Sequence, residues 1–436
     1  MLEKNNPRLI NAWASFDWSN SVYNLIITTA IFPIYYLSVT ESAFGGETVQ
    51  FFGLTVVNSV LYSYAISFSF LVIVFLAPVL SGIADFSGRK KRFMQFFTYL
   101  GSLACISLYF FTGENVEFGI LCAVLASVGF AGSLVFYNAF LPEVATEDKM
   151  DRVSARGFAM GYTGSVILLV INLLIYMKPG LFGFEDGSSA TRFGFILVGA
   201  WWMGFAQIAF YYLEDRATGK KITFDILGNG VRKLNEVFGV VRGKTVMLRF
   251  LISFFIYSMG VQTVMLLAPL FGDKEVGMTA NEMIYIVLIL QIVAIGGAYV
   301  FALISKFRGN GFAISATLII WIFICIMGYF LKDKMSFYGL AGLLGFVMGG
   351  VQSISRSTWS KLIPEGTKDT ASFFSFYDVT EKLSIVIGSF SYGLIDQITG
   401  SMRNSMVFMS LFFIGGFVIL QFAKLKRNLN PAAVLH

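Results

Sequence analysis

The sequence predicts an all-α membrane protein whose twelve transmembrane helices form two pseudo-symmetric bundles of six. Three observations carry this prediction. The 436 residues are 56% hydrophobic, 17% aromatic and only 13% charged, with a mean hydropathy of +0.72, whereas soluble domains are about 25% charged. Twelve runs of about 20 predominantly apolar residues, each long enough to cross a bilayer as a helix, succeed one another along the chain. A longer basic segment divides them six and six.

The first run, 16–38, follows Met-Leu-Glu-Lys-Asn-Asn-Pro-Arg with no short apolar core and no small-residue cleavage site, and is read as a retained span. It carries Asp17, Asn20 or Ser21, Asn24 and Thr28 at spacings of 3 to 4, hence on one helical face. Polar groups inside a span turn toward a cavity or a partner helix. Two readings stay open for this stripe: a wall of a solute cavity, or an inter-helix hydrogen-bond seam ending in an interfacial Asp.

Runs two to six lie at 61–82, 93–112, 118–141, 157–177 and 193–213. After the second comes Ser81-Gly82-Ile83-Ala84-Asp85-Phe86-Ser87-Gly88-Arg89-Lys90-Lys91-Arg92. Asp85 can face the positive end of a neighbouring helix or pair with Arg89, and Gly88 permits a tight turn before Lys90, so this loop is the candidate for conformational control. The alternative is a set of charges that anchors a short turn. Around the turn between the fourth and fifth runs cluster Tyr137, Asn138, Glu143, Arg152, Arg156, Tyr162 and Asn172. Asn138 is assigned to the cavity, and Glu143, Arg152 and Arg156 to inner-gate ion pairs.

Residues 214–246 form the longest connection and hold Arg216, Lys220, Lys221, Arg232, Lys233, Arg242 and Lys244. Leu227, Val231, Leu234, Phe238 and Val241 recur at spacings of 4, 3, 4 and 3, the pattern of an amphipathic linker helix lying on the membrane surface. The expected bundles are therefore 1–213 and 247–436, with 214–246 between them.

The second six runs lie at 247–270, 282–304, 312–331, 336–358, 373–395 and 404–423. The seventh offers Gln262, and the tenth offers Gln352, Ser355 and Arg356. Arg356, like Arg156, could bind a carboxylate bidentately or serve a gate ion pair. Gly339, Gly342, Gly345 and Gly349 form a small-residue edge suited to close helix packing. In the eleventh run Asp378 and Lys382 stand one turn apart and can pair, which leaves Glu381 without a local partner and available for proton coupling. A helix that starts lower, with Lys382 snorkelling to the interface, is the alternative.

The halves echo each other. Phe140-Leu141-Pro142-Glu143 and Lys361-Leu362-Ile363-Pro364-Glu365 are offset by 222 residues, and Ser87-Gly88 and Arg308-Gly309 by 221. Such a duplicated six-helix unit is a transporter plan, with the solute site between halves near the bilayer midplane. An even number of spans puts both termini on one side. Most of the 32 Lys and Arg fall in the loops on that side, while the opposite loops hold Lys178, Arg192, Lys274, Lys332, Lys334 and Arg403. By the positive-inside rule the termini are cytoplasmic.

Other chemistries lack their residues. Cys105, Cys122 and Cys325 sit singly in apolar runs, without disulfide or thiolate-metal spacing. The single histidine is the last residue, His436, so proton chemistry falls to carboxylates. No Walker loop, His-Glu-x-x-His, Gly-x-Ser-x-Gly or Cys-x-x-Cys occurs, so neither an enzyme nor a cofactor is expected. The basic excess reports topology and contact with anionic lipid, with no aromatic-interleaved patch for nucleic acid.

The loop from Ser81 to Arg92 resembles the signature loop of the major facilitator superfamily, in which a small residue opens the motif, an Asp follows four later, and a Gly precedes basic residues. Ser81 stands where that family usually has Gly, and Phe86 where it usually has Arg or Lys. Four further stretches resemble one branch of it: Ala12-Trp13-Ala14-Ser15-Phe16-Asp17-Trp18-Ser19-Asn20-Ser21, Phe136-Tyr137-Asn138-Ala139-Phe140-Leu141-Pro142, Arg152-Val153-Ser154-Ala155-Arg156-Gly157 and Ser355-Arg356-Ser357. That branch is the bacterial "unknown major facilitator" family, related to the autophagy-linked vacuolar amino-acid effluxers of fungi. The resemblance implies a two-bundle fold with alternating access, a bacterial inner-membrane location and, from the fungal relatives, amino-acid export. Two departures bear on the site. Tyr257-Ser258-Met259-Gly260-Val261-Gln262-Thr263 lacks the acid the family often carries before the Gly, and Glu381 precedes Lys382 where the family usually has Gly. Glu381 is therefore expected to replace the lost acid in the central cavity.

The expectation is a monomeric secondary transporter that exports an amino acid or short peptide, with protons as coupling ion and lipids as its other partners. The 47 Phe and 17 Met also suit a lipid or drug-like substrate. A non-transporting sensor or scaffold on the same fold is the reading from another class.

Overall fold

The computed structural model describes residues 3–215 and 226–425; Arg216, Lys220, Lys221 and His436 lie outside these, as does the side chain of Leu227. In chain order the elements are α1 (Pro7–Val22), a π-helical run (Tyr23–Ala30), α2 (Phe32–Phe44), β1 (Thr48–Phe51), β2 (Leu54–Val57), α3 (Asn58–Ser87), α4 (Lys90–Ser107), α5 (Val116–Ala139), α6 (Leu141–Val144), α7 (Met150–Met177) and α8 (Gly187–Tyr212). There follow α9 (Ile226–Gly243), α10 (Thr245–Val276), α11 (Ala280–Arg308), α12 (Asn310–Phe330), α13 (Lys334–Leu362), α14 (Thr370–Thr399) and α15 (Met402–Ala423).

Among the described residues, ten helices are long and apolar enough to cross a membrane, or eleven if the bent pair Pro7–Ala30 and Phe32–Phe44 is one span. α14 has 30 residues, ample length at about 1.5 Å per residue, but Asp378, Glu381 and Lys382 make its middle more polar than the others. The count of twelve therefore includes one charged helix.

The first span departs from the uniform helix expected over 16–38. It continues into a π-helical run, in which the amide of Ile31 donates to the carbonyl of Ile26 at 2.9 Å, and then bends by 43°. Pro33 follows the bend, where its missing N–H costs nothing. The hairpin β1–β2 was also unforeseen. Its antiparallel register pairs Thr48 with Val57 and Phe51 with Leu54, and both turn residues, Phe52 and Gly53, have positive φ, as a two-residue hairpin turn requires.

Some helix starts are capped by side chains. The Asp186 carboxylate accepts the Ser189 amide at 2.6 Å at the head of α8, and Asp333 accepts the Ser336 amide at 2.9 Å at the head of α13. These hydrogen bonds hold both carboxyls below the usual carboxylate range.

The chain divides into two compact units. The first comprises Pro7–Asn138 and Met160–Val231, and the second comprises Leu2–Asn6, Ala139–Ala159 and the chain from Arg232 onward. In the first unit α1 lies directly on α7, because Gly161 faces Ser21 and the Asp17 carbonyl, and Gly164 faces Trp18. Gly101 of α4 receives both Trp202 of α8 and Gly129 of α5. In the second unit α13 presses on α11, where Gly345 meets the Leu290 carbonyl and Gly349 that of Ala294, while Gly339 and Gly342 of the same edge touch nothing. The small-residue edge thus packs closely over its C-terminal half only. At the opposite face Arg403 ties three helix ends together, donating to Glu275 at 2.7 Å and to the carbonyls of Tyr329 and Leu331. The linker helix α9 buries Val237 and Val241, and its Lys233 pairs with Asp369 at 2.8 Å.

Gly349→Val should cost about 1–3 kcal/mol through overpacking on α11 and lower the thermal midpoint, whereas Gly339→Val, in open space, should leave it unchanged. The caps generate a second expectation. Because both carboxyls titrate below their unfolded values, their stabilisation is present at neutral pH and is lost as pH falls through the lowered pKa. A double Asp186→Asn, Asp333→Asn variant, which caps without titrating, should lose thermal stability less steeply toward acid pH.

Candidate functional site

In the first unit the polar residues of the first span do not share one environment. Asp17 is buried and accepts the Tyr137 hydroxyl at 2.8 Å, while the Trp13 ring stacks on Tyr137 at 4.6 Å and its indole N–H donates to the Tyr137 carbonyl. That is an inter-helix seam between α1 and α5. Asn20 is buried one turn on, with its amide nitrogen lacking a partner among the described residues. Asn24 is exposed, at the start of the π-helical run where the register widens. A π-helical segment inside a span is a frequent mark of a functional site. Asn138 is buried on α5.

In the second unit α10 and α14 form a second polar seam. Gly388 of α14 lies against Met259 and Thr263 of α10, so the two backbones approach closely. Phe254 stacks on Tyr377 at 4.2 Å, and Tyr257 shares a hydrogen bond with Ser355 at 2.7 Å. Within this frame the Gln262 amide donates to Glu381 Oε1 at 3.0 Å, and Lys382 Nζ lies 3.3 Å from Glu381 Oε2. Glu381, expected to lack a partner, thus has two. Helical spacing alone disfavours contact between neighbours, but two long side chains can fold together beside a third group on α10. The Glu381 side chain keeps 21% of its surface accessible and Lys382 9%, while Asp378 is buried.

A third group gathers at the start of α7, on the segment that belongs to the second unit. Asp151 accepts from Ser305 at 2.6 Å, Asn310 at 2.9 Å and Lys361 at 2.6 Å, and Asn310 bonds Thr358 in turn. Arg356 donates from Nε to the Ser154 hydroxyl at 3.0 Å and from Nη2 to the Ser154 carbonyl at 2.9 Å, with its guanidinium 4.1 Å over the Phe158 ring. The bond from Ser154 to the Ser353 carbonyl closes the set. The gate pairs expected of Arg152 and Arg156 are corrected here: both are exposed and have no partner among the described residues. Asp151 and Ser154, on the opposite face of the same turns, are the buried partners. Sequence reading missed Asp151, Ser305, Asn310 and Lys361. The only signal was the second-half echo, since Asn310 follows Gly309 as Arg89 follows Gly88. Glu143 is half-buried in α6.

The loop from Ser81 to Arg92 forms the expected tight turn. Gly88 adopts φ 67° and ends α3, Asp85 and Lys90 are buried, and Arg89 is half-buried. A further residue enters from the end of α8: Asp215 accepts the Lys91 amide at 2.7 Å and so caps α4. Burial pushes its carboxyl up, against the pull of that bond.

Comparison with known proteins accords with this architecture. The family described as "Vacuole effluxer Atg22 like" matches residues 5–433. An uncharacterized MFS-type transporter, YxiO, of Bacillus subtilis is 29% identical over 415 residues, covering 94% of each chain. Autophagy-related protein 22 of Saccharomyces cerevisiae is 26% identical over 429 residues, covering 86% of this chain and 79% of that protein. Among solved structures, the major facilitator transporter FucP in its outward conformation superposes with a TM-score of 0.67 at 15% identity, covering 97% of this chain and 99% of that one. The human organic anion transporter MFSD10 gives 0.70 at 13%, covering 96% and 100%. These two likenesses establish the fold alone. With residues 5–433 spanned by the match, the chain belongs to the family described as "Vacuole effluxer Atg22 like" and is a multi-pass membrane transporter of the major facilitator type.

Proposed function

We propose that the chain exports amino acids or short peptides by alternating access, with proton coupling at Glu381. The observation that carries this reading is the group of Glu381, Lys382 and Gln262 on α14 and α10. A membrane-embedded ion pair is costly to separate unless each charge finds another partner. A zwitterion supplies both at once, its ammonium to Glu381 and its carboxylate to Lys382. Opposite charges set side by side match the two ends of a zwitterion, so the pair favours zwitterions. A proton taken up by Glu381 would remove one half of that arrangement and release the solute. The exposed Asn24 on the π-helical run supports a second contact, since broken helices at midplane depth are recurrent solute sites. The effluxer relatives support the direction.

The movement would rock an N-terminal half, 1–213, against a C-terminal half, 247–436, with 214–246 as linker. The Asp151 and Arg356 bonds would act as an inner latch, because α7 runs unbroken while its first turns belong to the second unit. In this reading the transporter works as a monomer in a bacterial inner membrane with cytoplasmic termini.

The test is thermal stabilisation of the purified protein by amino acids, dipeptides, lipids and organic anions at two pH values, followed by flux in proteoliposomes. Binding to the folded state raises apparent stability by mass action. A shift confined to zwitterions supports the reading, and a shift confined to amphiphiles or anions overturns it. Glu381→Gln should keep flux but flatten its pH dependence, and an unchanged pH profile would rule out coupling at this residue. Asp151→Asn should leave the largely enclosed Lys361 without its carboxylate, at a cost of at most about 3–5 kcal/mol. Its signature is faster hydrogen exchange over residues 150–158, with the exposed Arg152→Gln as an unchanged control.

A further inference from the structure

We infer that α9 is a lipid-sensing strut: its uncovered strip docks on an anionic membrane face and transmits that contact to the inner end of α14. The helix is held close to the bilayer by its connection. Lys244 alone separates Gly243 from Thr245, where the membrane-spanning α10 begins, and its φ of −95° and ψ of 95° break the helix there. α9 therefore turns sharply at the point where the chain enters the membrane.

Among the described side chains of α9, one edge is covered by protein. Val237 and Val241 are buried, the Phe238 ring stacks on Phe376 of α14 at 5.9 Å, and Lys233 pairs at 2.8 Å with Asp369, the residue before α14. Sharing the half-covered Phe238 with that edge, a second strip runs through Val231, Leu234, Phe238 and Arg242 at spacings of 3, 4 and 4. Val231 is 45% exposed, Phe238 50%, and Leu234 half-buried. The apolar arc is thus wider than the surface it covers.

Charge identifies the occupant. Arg232, Arg242 and Lys244 are exposed with no ion-pair partner among the described residues. The one acid within Ile226–Gly243 is Glu236, which Lys233 already meets at 3.2 Å. An apolar strip flanked by unopposed cations fits the headgroup boundary of anionic lipid, where Val and Phe enter the acyl edge and Arg and Lys meet phosphate. A second copy of the chain would instead bring like charges together. The same helix grips α14 through Lys233 and Phe238, and α14 carries Glu381 and Lys382 two turns or less beyond Phe376. Anionic lipid bound to α9 therefore bears on the position of those residues.

The test uses the full chain with Val231→Cys labelled by an environment-sensitive fluorophore, since Cys105, Cys122 and Cys325 are all buried. The protein is reconstituted in vesicles of phosphatidylcholine alone or mixed with phosphatidylglycerol. The expected result is a blue shift with phosphatidylglycerol only, weakened by salt. Replacing Arg232, Arg242 and Lys244 by Gln should reduce label partitioning about a hundredfold, each cation contributing about fivefold. Equal emission in both vesicles, or a shift that survives charge removal, overturns the docking. A shift that follows protein density rather than lipid charge also overturns it, in favour of self-association. Lys233→Met separates the second step: the blue shift should remain while the gain in thermal midpoint from phosphatidylglycerol disappears. If that gain persists in Lys233→Met, transmission through the Asp369 pair is wrong.

Discussion

A bilayer core offers a peptide group no hydrogen-bond partner, so every spanning segment must satisfy its own backbone. Most of the elements here obey by running as uninterrupted helices of 18 to 32 residues. The exception is the first span, where a π-helical run and a 43° bend interrupt the regular ladder. Its exposed Asn24 stands at that interruption. Irregular backbone at membrane depth survives where it lines a cavity or is buried in protein, which gives this segment its functional interest.

The same solvent governs the charges. Asp17, Asp151 and Arg356 are buried, and each is held by polar groups rather than left to the hydrocarbon. The arrangements differ in what they permit. Asp151 meets three donors in a closed set, so its release needs the simultaneous loss of several bonds. Glu381 keeps part of its surface accessible and lies 3.3 Å from the buried Lys382, a pair that a solute would replace in the proposed mechanism. One group suits a latch and the other a binding site, by the same principle applied at different degrees of closure.

Close helix packing gives both groups their geometry. Gly388 lets α14 reach α10, which brings Gln262 to Glu381, and Gly345 and Gly349 seat α13 on α11, which helps hold Arg356, Thr358 and Lys361 in place. The linker helix adds a peripheral tie, since Lys233 and Phe238 contact the beginning of α14. The charged helix is thus braced by α10 within the membrane and by α9 outside it.

The sequence by itself determined most of the spans, the glycine-capped turn at Gly88 and which helices carry charged residues. Hydropathy, turn chemistry and charge are local properties, readable within a few residues. The tertiary structure decided the partners. Arg152 and Asp151 are adjacent, and spacing could not say which would face inward; only the packing of α7 buried Asp151 against Lys361 and left Arg152 exposed. Asp17 could have lined a cavity, and only the approach of α5 gave it Tyr137. The amphipathic period of α9 predicted a surface helix, yet the covered edge depended on where Asp369 and Phe376 lay. Helical periodicity defines a face, and what that face meets depends on residues more than a hundred positions away.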